Sequence, residues 1–98
     1  MTMHVDVQQN GQLISASIVG SCTIYEAADL RAALLPLATA SEPVMIDLGA
    51  VSELDCAGLQ ILLALQKECA LALFSNPSAC VQQALDLLNL NRCFAIEA

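Results

Sequence analysis

The side chains in this 98-residue chain best suited to chemistry are five cysteines, one histidine and a short Asp-Cys-Ala-Gly run at Asp55–Gly58. Among Cys22, Cys56, Cys69, Cys80 and Cys93, no two lie closer than Cys69 and Cys80. No CxxC pair therefore exists to hold zinc or to run thioredoxin-type exchange. An odd number of cysteines scattered through apolar segments suits free thiols acting as small hydrophobes in a reducing compartment. His4, the only histidine, falls in a terminal segment expected to fray. With no clustered carboxylates, there is no Ser-His-Asp set, general-base pair or metal site to assemble. Four glycines stand in neither GxGxxG nor GxxxxGK order, so no phosphate loop is expected. These residues point away from an enzyme, and no cofactor or metal is expected.

Composition narrows the partners. Ten acidic residues against Arg31, Lys67 and Arg92 give a net charge of −7. Neutralising a phosphate backbone requires Lys and Arg, so nucleic acid is excluded as a ligand, and an anionic membrane surface is disfavoured for the same reason. The acidity serves either solubility through self-repulsion or the steering of a partner. With no Trp, one Tyr and two Phe, the core must be aliphatic. The amino-terminal MTMHVDVQQNGQ lacks a basic stretch followed by an apolar one, so no signal peptide is expected. The apolar run Leu54–Leu65 is broken by Asp55, Gly58 and Gln60 and is too short for membrane insertion. A cytoplasmic protein of one domain, residues 1–98, is expected.

The elements that position these residues follow from periodicity. Val5–Gln8 and Leu13–Val19 read as strands joined through Asn10-Gly11, a hairpin signal. Thr23-x-x-Glu26 matches a capping box, predicting a helix from there to about Ala38, with Pro36 near its end. Ala27, Leu30, Leu34, Leu37 and Ala38 would line its buried face. Val44–Leu48 is apolar enough for a central strand covered on both faces, with Gly49 and Ser52 marking the connection after it. A second helix is expected over 57–70 and a strand over Leu71–Ser75. Asn76-Pro77 reads as the cap and first residue of a third helix that buries Val81, Ala84, Leu85 and Leu88. Asn89 and Asn91 end it, and Cys93–Ile96 supplies a last strand. The order β-β-α-β-α-β-α-β predicts an α/β domain: a small, mixed, mostly parallel sheet opened by an antiparallel hairpin, with helices packed against it.

The stretch VMIDLGAVSELDCAGLQILLAL, Val44–Leu65, carries the most information. A buried strand leads through a turn into a helix, and functional loops of open α/β sheets lie beyond the carboxyl ends of strands. Asp47, Leu48, Gly49, Val51, Asp55, Gly58, Leu59, Leu62 and Leu63 together resemble the central motif of STAS domains (sulfate transporter and anti-sigma factor antagonist). Asn76-Pro77-Ser78, followed by an apolar helix, extends the resemblance over nearly the whole chain. The resemblance implies a STAS-like fold and a non-catalytic protein-interaction module. In phosphorylated family members a hydroxyl directly before the glycine accepts phosphate from a kinase, and that position here is Ala57. No phosphorylation is expected there. The chain is thus similar to the Asp-x-Ala-Gly subgroup, in which the docking surface persists without the phospho-switch.

Each site residue also has a structural reading. Asp55 either contacts a partner or caps the helix after it, and Gly58 allows close backbone packing or an unusual turn. Cys56 is either a thiol activated by a helix amino terminus or a replacement for a small polar residue. Ser52 and Ser78 fit loop and helix-start roles. On the second helix, Gly58, Ile61, Leu62, Leu65 and Cys69 form the expected core face at 100° per residue. Leu59, Leu63 and Ala70 form a second stripe, either exposed for docking or covered by a neighbouring helix. The partner-binding set is therefore Asp55, Cys56, Ala57, Gly58, Leu59 and Leu63. The partner implied by resemblance is a GHKL-type kinase of the anti-sigma factor kind, or a response regulator, in transcription or chemotaxis signalling. Alternatives are a phospholipid-transport ABC transporter ATPase and a thiol-based sensor using Cys56. Homodimer formation is left open.

Overall fold

The computed structural model describes residues 3–69, 71–90 and 96–97. The hairpin strands β1 (Met3–Asn10) and β2 (Leu13–Cys22) are followed by α1 (Ala27–Ala38), β3 (Val44–Leu54), α2 (Cys56–Glu68), β4 (Ala72–Ser75), α3 (Ala79–Leu87) and β5 (Ile96–Glu97). The expected order of strands and helices is the order found. The sheet runs β1-β2-β3-β4-β5, antiparallel between β1 and β2 and parallel thereafter. The hairpin closes through Gly11-Gln12, and Gly11 sits at φ 62°, which a side chain would resist.

The strand order never reverses. Parallel strands added in one direction, joined by crossovers of the usual right hand, put their connecting helices on the same face, and the three described helices share one core with the sheet. Ile14, Ala16 and Ile18 of β2, Val44, Ile46 and Leu48 of β3, and Ala72 and Phe74 of β4 form one buried core with Leu30, Leu34, Leu59, Leu62, Leu65, Val81 and Leu85 of the helices. The expectation that β3 is covered on both faces is therefore corrected. Its other face carries Met45 and Asp47 beside Ser15, Ser17 and Ser75, and it lines a shallow depression of about 380 Å³. An unreversed order also lacks the switch-point crevice where open α/β sheets usually bind ligands.

Several boundaries differ from expectation for local reasons. The strand β3 runs on past Gly49 to Leu54, because the long β2 offers it partners as far as Cys22 across two register shifts. The Thr23–Glu26 pair forms, but its bonds close a turn: the Glu26 carboxylate accepts from the Thr23 N–H (3.1 Å) and hydroxyl (2.7 Å), and α1 starts after it. Asn76 is no cap; it lies at φ 52°, donates to the Asp47 carboxylate, and Ser78 takes the N-cap position of α3. At the other end, Asn89 at φ 55° stops α3 with the paired bonds Leu90 N–H to Leu85 O (2.8 Å) and Asn89 N–H to Asp86 O (3.2 Å). Leu88, expected on the buried face, is 46% exposed, because it is the C-cap where helical periodicity ends. Asn91 and Cys93 lie outside the described residues, as does Ala70.

Candidate functional site

The exposed end of β3 becomes α2 through a single residue, Asp55, and that residue holds two segments together. Its Oδ1 accepts the Gly58 N–H (3.1 Å), the bond of an N-cap. Its Oδ2 accepts the Ile24 N–H (2.9 Å) from the turn between β2 and α1. The backbone adds a third tie, Asp55 N–H to Cys22 O (3.3 Å). The two backbone N–H donors hold the Asp55 carboxyl below its ordinary aspartate value. The Glu26 carboxyl is likewise lowered, by the Thr23 hydroxyl first and by the Thr23 N–H and the Ser21 hydroxyl after it.

Gly58 is needed because two backbones meet there. A Cβ on it would lie 2.0 Å from the Cys22 carbonyl oxygen and 2.9 Å from its carbon. Cys22 is fully buried, and burial, ahead of the charges of Glu26, Cys80 and Asp55, pushes its thiol up to about 11. It stays a protonated packing group. Cys56 opens α2 as an exposed free thiol.

The turn that Asp55 anchors displays two large apolar side chains to solvent, Ile24 at 64% and Tyr25 at 90% exposure. Sequence periodicity had absorbed both into a helix. The available signal was the chain's one tyrosine beside an isoleucine within a polar capping pair. On the other side of Asp55, Ala57 is half-buried and lines a groove of about 520 Å³ between α1 and α2. Leu35, Ile61 and Ala64 make that groove apolar, with Arg31 and Glu68 also on its walls. The protein thus places Asp55, Cys56 and Ala57 beside an exposed apolar turn and an apolar groove.

Three expected contact residues do not join them. Leu59 is 3% exposed and belongs to the core, while Leu63 is half-buried and packs against it. The buried arc of α2 runs from Leu65 through Cys69 and Leu62 to Leu59, about 120° at 100° per residue. A stripe of that width is usual for a helix lying on a sheet. The open flank of α2 is instead the one facing α1. Gly58 is buried and serves packing.

The family model described as Mlab, STAS domain, matches residues 5–97. The chain belongs to the STAS domain family. This STAS protein is 38% identical over 63 residues to the anti-sigma-B factor antagonist of Bacillus subtilis (strain 168), a match covering 64% of this chain and 58% of that relative. It therefore spans somewhat over half of that protein's length. Its fold is shared with an anti-sigma factor antagonist from Mycobacterium paratuberculosis, with a TM-score of 0.86 and 22% identity over 97% of this chain and 85% of that one. It is also shared with a putative anti-sigma factor antagonist from Thermotoga maritima, with a TM-score of 0.77 and 18% identity over 93% and 83% of the two chains. Among the described residues of the STAS domain, no helix is long and apolar enough to cross a membrane, and no three His, Cys, Asp or Glu side chains gather as metal ligands.

Proposed function

We propose that this STAS protein is a non-catalytic docking module of the anti-sigma factor antagonist kind, acting in the cytoplasm by binding a partner protein. The observation that carries this reading is the Asp55 bridge. One carboxylate ties the β2–α1 turn to the start of α2, and so holds exposed Ile24 and Tyr25 rigidly beside Cys56 and Ala57. Preorganised exposed aromatic and aliphatic groups are what protein interfaces use as anchors. The partner is a GHKL-type kinase or a response regulator. Ala57 occupies the position where phosphorylated relatives of the family carry a hydroxyl, and a methyl group cannot accept phosphate. Binding is therefore regulated by some means other than phosphorylation of that turn.

The same alanine favours a second reading, docking onto the ATPase of a phospholipid-transport ABC complex. Ala57 adds its methyl group to the apolar groove between α1 and α2, on the opposite side of Asp55 from the turn that carries Ile24 and Tyr25. Titration calorimetry with a purified kinase and, separately, a purified ATPase from the same genome distinguishes the two. With the true partner, Tyr25→Ser and Ala57→Glu each weaken binding by about tenfold or more while leaving the circular dichroism unchanged. A Tyr25→Ser variant that binds every partner at full strength overturns the docking surface.

A further inference from the structure

The sheet ends at β1, and among the described residues nothing pairs with its outer edge. An unpaired strand edge is a template for another strand, and proteins usually guard it with lysine, proline, a bulge or shortness. This edge has none of those guards. Its eight residues, MHVDVQQN, contain no lysine or proline, and they pair with β2 in unbroken register from Met3 to Asn10. Val7, on the helix-covered face of the strand, is 50% exposed. His4, expected to fray, is instead a regular strand residue opposite Val19, and its Nε2 lies 3.3 Å from Asp6 Oδ2 on the open face.

We propose that β1 is a homodimer interface, in which two copies join edge to edge, antiparallel, about a two-fold axis at Val5. The sequence of the edge selects that register. A two-fold axis normal to the sheet sets one residue against its own copy, and directly opposed residues share a face. Centring on Asp6 sets two carboxylates against each other, and centring on His4 sets two imidazoles together. Centring on Val7 leaves Val5 against Gln9, and centring on Gln8 leaves Val7 against Gln9. Centring on Val5 sets His4 against the second copy's Asp6 and Met3 against the second copy's Val7. Among these registers, that one covers the exposed Val7 with an apolar side chain and opposes acid to base on both sides of the axis. The net charge of −7 per chain repels two copies at long range, but screening beyond roughly 8 Å at physiological salt leaves the short-range pairs to choose the register.

The resulting object is one continuous sheet with all helices on the same side. This inference does not depend on the docking function proposed above. Sedimentation velocity over a concentration series tests it. The wild-type chain is expected to self-associate, and Asp6→Lys to raise the dissociation constant about tenfold or more by placing a lysine against the second copy's His4. The charge-swapped double variant, His4→Glu with Asp6→Lys, restores association. Should Asp6→Lys disturb the fold by circular dichroism, Asp6→Asn gives the same loss on a smaller scale with its shape kept. A chain that stays monomeric up to about 1 mM, or a dimer indifferent to both changes at Asp6, overturns the proposal.

Discussion

Asp47, within β3, and Asp55, just beyond its end, perform the same operation with different results. Each accepts two N–H groups, and each stands next to a glycine that has no room for a Cβ. Asp47 Oδ1 takes the Gly49 N–H (2.7 Å) and the Asn76 side-chain amide (3.2 Å), latching β3 to the loop that follows β4. Asp55 takes two backbone N–H groups, those of Gly58 and Ile24. The neighbour that forbids a Cβ at Gly49 is the Asn76 amide nitrogen, 2.2 Å away, whereas at Gly58 it is the Cys22 carbonyl oxygen in the main chain. A side chain can rotate away and a strand backbone cannot. The Asp47 region is thus an adjustable latch within the sheet. The Asp55 region is a rigid junction, and it is the one that displays Ile24 and Tyr25.

Substitutions at the two glycines and the second aspartate break or sharpen this contrast. The largest effect is expected from Gly58→Ala, which must push α2 away from the end of β2. A loss of about 3 kcal/mol or more in denaturant unfolding is expected, with the β2–α1 turn disordered. A loss below that of Gly49→Ala would show that the junction yields as readily as the latch.

Asp55→Ala removes a cap and the tie to Ile24. It is expected to cost about 1–2 kcal/mol and to speed hydrogen exchange at the Gly58 and Ile24 amides. The charge on Asp55 has a pH signature. Because folding depresses its pKa, its contribution is complete at neutral pH, above the unfolded-state value, and is lost as acidification passes down through the folded-state one. The stability gap between the wild type and Asp55→Asn is therefore expected to narrow on acidification. A gap that widens there would contradict the hydrogen-bonding pattern. The smallest effect is expected for Gly49→Ala, about 1 kcal/mol, since Asn76 can give up its bond to Asp47 and move. Pairing it with Asn76→Ala should recover part of that loss in a double-mutant cycle.

The fold was largely legible in the chain because its signals are local. The glycine turn at Gly11, one residue later than the Asn10-Gly11 signal placed it, the apolar run Val44–Leu48, the stop at Asn89 and the helical spacing of Leu30, Leu34 and Leu37 each depend on a few neighbouring residues. Asp55 was legible as a cap, and Gly58 as a point of close approach, for the same reason. The site as a surface was not. Ile24 falls inside a helix by periodicity, but the Thr23–Glu26 bonds close a turn ahead of that helix, and the stripe of Leu59 stayed open between exposed and covered because a helical wheel does not say how deeply a helix settles onto its sheet.

What the sequence determined by itself was the inventory: which segments are strands and helices, which turn carries Asp55 and Ala57, and that no hydroxyl side chain directly precedes Gly58. Tertiary structure decided which segments meet. The second N–H donor to Asp55, the carbonyl that makes Gly58 obligatory and the groove that Ala57 shares with α1 all involve partners distant in the chain. Local propensity acts over a turn or two. The direction in which successive crossovers add to a sheet is a property of the whole chain, and it placed the three described helices on one face.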